Sequence, residues 1–574
     1  MQLNGSPLNG LPLNALAAAV ASTIPIVKGL AFRWKLLVMI GGVDMSNRLT
    51  GTVTIDRERG AAGVAELVLQ LLPGAVVPSD WIGRPVTIHY VSTALGETTL
   101  SLRFTGRIVK TDWDSLNRML SCQCSDQLQQ RVEALEISAI DVLVGGYWSP
   151  DVFEAVEGRS RWDYALERLG TIPASLDSAT DGTLRLSSWY ATATPDFVFG
   201  PDTTVYESIR VSYAELTNLT NTVKIEADYR FARLWQWNIH YGWVHPGLGG
   251  STGEAGFCNW RQDDTELPTI DMVQSATESS GQTLLAGASY QLLPPSGVYC
   301  DPPQGWTNNF TDLLLAAGWT GGRRWNQPVT MQYRINVVAE ASVAAAGEVI
   351  GRERVALEVE TDASNSWESD PFTDGETGQT DVVDEGRRVA ALECILHQAA
   401  TTVIGAHTQT EISWDVPTSM VMGVDLVHTL RLEDQGVGAQ ARCSRVNDNF
   451  DMAGGLALTT LSISVMRGGG AVSDPLTAPV FAGYVPSEGD PTTLDKSLPT
   501  QLGGRNESPI YDPDKLGFSG NYTENDLDIN PDLELFPRRL DLEAPEIAEV
   551  LRDERAIEVP LTYRVVVPND WLEL

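Results

Sequence analysis

Residues 99–125 read TLSLRFTGRIVKTDWDSLNRMLSCQCS, and residues 428–464 read HTLRLEDQGVGAQARCSRVNDNFDMAGGLALTTLSIS. In each, an alternating strand leads into a second strand, then a bulky aromatic followed by aspartate (Trp113-Asp114, Phe450-Asp451), a polar turn and a third alternating strand. The two aspartates lie 337 positions apart, and Val109/Val446 and Ser125/Ser462 match at the same offset. Identity is thin, so the pattern carries the reading: one small antiparallel β unit written twice. Three chains with two copies each would present six similar surfaces, the number that mates with a sixfold ring. Two unrelated β-meanders are the alternative.

Around these stretches the chain is 574 residues long, enough for three or four domains. With 51 Gly, 31 Pro and many short runs rich in Val, Ile, Thr and Tyr, it reads as mainly β. The formal charge of −35 repels nucleic-acid phosphates, which argues against a nucleic-acid-binding enzyme and suits a surface along which DNA passes without sticking. Six cysteines without a C-x-x-C pair make no disulfide framework and fit synthesis in a reducing cytoplasm. Cys122 and Cys124 share one face of a strand, where small side chains pack in a core. Residues 15–27 lack a basic lead and are broken by Ser22, Thr23 and Pro25, so neither a secretory signal nor a spanning helix is expected there.

The organisation read from the sequence is an N-terminal arm (1–32), a first β-barrel-like domain (33–144), an α+β domain (145–234), a Trp-rich insertion (235–330), an α+β segment with a long helix (331–408), a second β-barrel-like domain (409–470) and an acidic extended tail (471–574). Residues 222–231 alternate strictly and predict a strand; residues 382–403 predict the clearest helix, with Val389, Leu392, Ile395, Leu396 and Ala399 on one side. From Trp235 the texture becomes irregular, and seven of the 16 tryptophans fall between there and Trp325. Trp235, Trp237, Trp243 and Trp306 are candidates for stacking on glycans or partners, against the alternative that they fill a core. The tail holds too little apolar surface for its own core and is expected to gain order on other subunits.

No catalytic motif survives inspection: there is no G-x-S-x-G, H-E-x-x-H, P-loop or G-x-G-x-x-G. The odd separation of His240 and His245 places them on opposite faces of a strand, which disfavours a shared metal. Acidic pairs such as Asp112/Asp114 and Asp263/Asp264 resemble glycosidase carboxylates, but pairs arise by chance among 75 acids. Asp114 and Asp451 read better as turn residues bonding local backbone. No enzyme activity, cofactor or metal is expected.

In their order, residues 45–71, 80–90, 104–135 and 221–231, with 424–466 closing, resemble baseplate hub or tail-tip proteins of tailed bacteriophages, particularly Mu-like flexible-tailed ones. The resemblance implies a virion protein forming a homotrimer at the end of the tail tube. In it, two related β-barrel-like hub domains generate pseudo-sixfold symmetry, joined to tail-tube or distal tail proteins above and tip or fibre proteins below. It also implies a channel through which genomic DNA passes during ejection, a part in host attachment, and no stable membrane insertion. On that reading Trp113-Asp114 and Phe450-Asp451 superpose, in domains related by about 60 degrees. A receptor- or glycan-binding, possibly wall-degrading, tail protein is the alternative.

Overall fold

The computed structural model describes residues 2–3, 6–7, 32–74, 76–94, 97–213, 215–245, 267–293, 312–357, 376–408, 410–501, 514–519 and 539–574. Within them the architecture is mainly β with α+β insertions, organised around two large sheets. The expected N-terminal arm falls almost entirely outside the described residues, as do Trp260 and Trp306.

The first sheet begins with β1 (Phe32–Ile40), β2 (Leu49–Glu58), β3 (Val64–Gln70), β4 (Pro85–Ala94), β5 (Glu97–Asp114) and β6 (Met119–Ser125). The order β2-β3-β6-β5-β4-β1 is antiparallel throughout. Alternation sends Val53, Ile55, Leu67, Leu69, Ile88, Phe104, Leu120, Cys122 and Cys124 into one core. Three short helices, α1 (Leu128–Glu133), α2 (Ile137–Val144) and α3 (Arg161–Leu169), follow and share a small core of their own. After them come the hairpin β7 (Ala174–Ser178) and β8 (Leu184–Ser188), then β9 (Phe197–Phe199).

The second sheet is built on two long strands, β10 (Thr222–Val244) and β11 (Leu314–Val338), paired antiparallel from Thr222↔Val338 to Val244↔Ala316. The strand predicted for 222–231 therefore continues through Trp235, Trp237 and Trp243, and Trp319 and Trp325 lie on its partner. This corrects the irregular insertion expected from residue 235. Residues 231–236 are all buried, so the polar/apolar alternation that betrays a strand disappears there. Helix α4 (Glu385–Ala406) packs Leu392, Ile395, Leu396, Ala399 and Val403 against this sheet, and Asp384 caps it by accepting the Arg387 N–H at 3.0 Å. It is long and apolar enough to cross a membrane, yet its apolar face is covered by the protein itself.

The chain then returns to the first sheet through β12 (Thr410–Pro417), β13 (Thr429–Asp434), β14 (Val437–Asp451) and β15 (Leu456–Val465). The tail, expected on other subunits, lies in its described parts on this chain. β16 (Leu494–Ser497) adds parallel to β10, β17 (Arg555–Arg564) adds parallel to β11, and β18 (Trp571–Glu573) adds antiparallel to β14. A single helical turn in the tail, Glu549–Arg552, receives the side chains of Trp325 and Gln327 on its carbonyls.

Trp235 and Trp243 are each at most 2% exposed. Trp235 stacks on Trp325 with ring centroids 6.0 Å apart and donates its Nε1–H to Gln327 at 3.1 Å, whereas Trp237 is half-buried and donates to the Thr492 carbonyl. Trp235→Ala and Trp243→Ala should therefore each lower unfolding free energy by about 3–5 kcal/mol, with a much smaller loss for Trp237→Ala, measured by urea denaturation.

Candidate functional site

The repeated hairpins are closed by the same hydrogen bonds. In the first, Asp114 pairs with Met119 across the turn, and its Oδ1 accepts the backbone N–H groups of Leu116 (2.9 Å) and Asn117 (3.2 Å). In the second, Asp451 pairs with Leu456, and its Oδ1 accepts those of Ala453 and Gly454, both at 2.9 Å. The fourth residue after each aspartate has positive φ: Arg118 at 55° and Gly455 at 68°. The Asp114 carboxyl is held below its usual range by the Asn117 side chain and the turn amides. Against its returning strand each second strand carries one bulge, at Val109 and at Ser444. The second bulge sits two residues further from its turn, so Val109, which matches Val446 in sequence, is the bulged residue while Val446 stays in its ladder.

The aromatic positions diverge in use. Trp113 is half-buried under the Arg118 guanidinium, 5.5 Å from the ring centroid. Phe450 is fully buried, and the core it enters is that of the first unit, where it stacks on Tyr90 with centroids 5.8 Å apart. The cause is a shared strand. Residues 437–442 of β14 pair with β13, while residues 445–451 pair with β2, so the two units, each with its own core, are hydrogen-bonded into one continuous sheet.

Buried charges stitch this seam. Arg103, on β5, makes a bidentate pair with Asp448, Nε to Oδ2 at 2.9 Å and Nη2 to Oδ1 at 2.6 Å, with both side chains at most 1% exposed. Asp448 also accepts from Thr459, and Arg103 donates to the Val421 carbonyl, so the charges are solvated by the protein. Asp448 and Thr459 occupy the places of Thr111 and Cys122 in the first hairpin; the second copy is made polar where it receives Arg103. Beside it, Asp425 binds Arg57 at 2.5 Å and Arg185 at 2.8 Å, and Arg445 forks onto Asp56. Burial pushes the Asp425 carboxyl up, but Arg57 and Arg185 outweigh it and hold the group well below the carboxylate range.

None of these charges was singled out from the sequence. A signal exists in the strand phase: Val53, Ile55, Arg57 and Val446, Asp448, Phe450 are inward series in which a charge replaces an apolar residue. Of the other candidates, Cys122 and Cys124 are buried in the core as expected, their thiols raised to about 12 and beyond by burial. His240 bonds Thr320, and His245 is buried and lowered to about 4. Asp112 is exposed beside Lys110; Asp263 and Asp264 lie outside the described residues. Among the described residues no group of three His, Cys, Asp or Glu is placed to hold a metal.

No protein-family model matches the chain, and no curated protein matches it. Among solved structures it is similar to the tail protein from Neisseria meningitidis MC58 (9% identity, TM-score 0.35, covering 75% of this chain and 96% of that one). It is similar at the same TM-score of 0.35 to the 43 kDa tail protein of prophage MuSo2 from Shewanella oneidensis (10% identity, 75% and 98% covered). The prophage tail protein gp18 from Listeria monocytogenes EGD-e follows at 7% identity and TM-score 0.29, with 75% and 94% covered. Likenesses at these scores fix neither fold nor function.

Arg103→Met should cost about 3–5 kcal/mol because it strands a buried carboxylate, and the double change Arg103→Met/Asp448→Leu should recover most of that loss in chemical denaturation. The Asp425 pairing stabilises fully above its unfolded pKa of about 3.9 and is lost as pH falls below it. Acid unfolding of Asp425→Asn should accordingly begin from a lower stability and depend less steeply on pH below about 4.

Proposed function

We propose that the chain is a structural, non-catalytic component of a phage tail tip: a baseplate hub whose three copies join the tail tube to tip or fibre proteins around the DNA exit channel. The observation that carries this reading is the doubled hairpin, closed by Asp114 and by Asp451 through the same backbone amides and the same positive-φ position. One chain offers the motif twice within one continuous sheet, and three chains offer it six times, which reconciles a threefold component with a sixfold tube. The sequence resemblance of residues 45–71, 80–90, 104–135, 221–231 and 424–466 to tail-tip hubs points the same way. The charge of −35 suits a passage that must not retain DNA. The glycan-binding alternative loses its footing at Trp235 and Trp243, whose ring faces are occupied inside the protein.

The test is stoichiometry. Light scattering behind size exclusion, or native mass spectrometry, should give three times the 62.4 kDa chain mass, and a reconstruction of the tail end should place the two hairpins about 60 degrees apart around its axis. A stable monomer present at six copies per particle would overturn the reading.

A further inference from the structure

The two β-units share one strand order. In the first, β2, β3, β6 and β5 lie side by side, all antiparallel. In the second, the short strand Arg210–Ser212, β12, β15 and β14 repeat that order and sense. Because β5–β6 and β14–β15 are the doubled hairpin, Arg210–Ser212 is the counterpart of β2. The registers agree: Asp56 faces Val64 and Val64 faces Ser125, while Arg210 faces Ser413 and Ser413 faces Ser462, so both rows end on the matched serines.

The counterparts differ in what lies on their far sides. β2 is paired on both edges, by β3 and by residues 445–451 of β14. Arg210–Ser212 pairs with β12 alone and ends its sheet among the described residues. The receiving strands show the same contrast. Residues 445–451 of β14 lie between β15 and β2, whereas their counterparts, residues 109–114 of β5, pair only with β6. Where β2 lies against β14, the first unit has instead the turn of residues 77–84. That turn bonds Ile108 through the backbone of Gly83 and Arg84 and accepts the Thr111 hydroxyl on the Pro78 carbonyl, and among the described residues it forms no ladder beyond Ile108. One chain thus carries a used and an unused copy of each half of the same seam, and an open strand edge is a template for pairing with another chain.

Both unused halves expose apolar surface. On the first unit these are Val77 and Ile82 of the turn, Val109 of β5 and Leu116 at the hairpin tip; on the second they are Tyr206 and Tyr213, which flank the short strand. Leu116 and Tyr206 are 88% and 79% exposed, far more than solubility favours for such side chains. The charges are complementary too. Residues 77–84 and 107–118 together hold four cations and three acids, while residues 206–215 hold two acids and one cation, so opposite signs would meet in a chain whose overall charge of −35 keeps copies apart.

We infer that the outer edge of the second unit, residues 206–213, docks on the strip formed by residues 77–82 and 109–116 of a second copy of this chain, repeating between chains the relation that β2 and β14 have within one. Such a contact is head-to-tail, and a step of about 60 degrees from unit to unit closes it after six units, that is, three chains. This surface rests on the hub reading above and supplies the contact that reading requires. The internal register, Asn447 opposite Asp56, transfers to Lys110 of one copy and Arg210 of the next. Lys110 already holds Asp112 at 3.5 Å, so a carboxylate stands beside the two cations.

The experiment joins native mass spectrometry of the full chain to cross-linking of a Lys110→Cys/Arg210→Cys variant with a bismaleimide. Denaturing gels of the double variant should show bands at two and three times the chain mass, with neither single variant exceeding the unaltered chain. Leu116→Glu and Tyr206→Glu should each weaken association about tenfold or more and leave the melting temperature of the dilute chain unchanged, whereas a merely structural side chain would lower it. Trimers without the double-variant cross-link, cross-linking by Arg210→Cys alone, or association unchanged in both glutamate variants would overturn this surface while leaving the threefold reading in place; absence of trimers would overturn both.

Discussion

The Arg103–Asp448 pair is the constraint on which the first sheet depends. A buried ion pair is a poor source of stability compared with apolar packing, but its geometry is demanding. Two fork hydrogen bonds, a third to the Val421 carbonyl and the Thr459 hydroxyl on the carboxylate admit one register between the two β-units. A slip of one residue along β2 and β14 would turn Phe450 away from Tyr90 and send Asp448 to the opposite face. The apolar contacts supply the driving force, and the charges decide which of several apolar arrangements is kept.

The second sheet solves a different problem. Two strands as long as β10 and β11 expose long edges, which invite pairing with other chains. Short segments from distant parts of the sequence cover those edges. Residues 350–357, 378–382 and 494–497 pair along β10, and residues 283–284, 289–292 and 555–564 pair along β11. Pro560 sits in the middle of β17, an outer strand, where its missing N–H discourages a further partner. The tail, expected to gain order on other subunits, in its described parts covers edges of its own chain instead.

Much of this was legible in the sequence. Alternation located the strands of the first unit, the helix over residues 385–406 was readable from its apolar face, and the aspartate-closed hairpins were recognisable as a repeat from very few identities because turn chemistry is more conservative than strand composition. Strands buried on both faces were not legible. Residues 231–236 show no alternation, so Trp235 and Trp237 looked like the start of an irregular insertion. Nor does local sequence reveal that β14 belongs to two units, since that depends on a bulge at Ser444 and on a partner strand almost 400 residues away at Asp56. The arginines of the seam are legible only in hindsight, as charges in an inward strand phase.

The position of the closing strands has a consequence for folding. β17 pairs with residues 329–338 of β11, and β18 with residues 438–440 of β14, each more than a hundred residues away along the chain. Contacts of such separation are slow to form, so these two edges stay open late in folding and can meanwhile pair with other chains. Removing residues 555–573 would leave both edges permanently adhesive, and the defect would show as aggregation rather than as loss of either core.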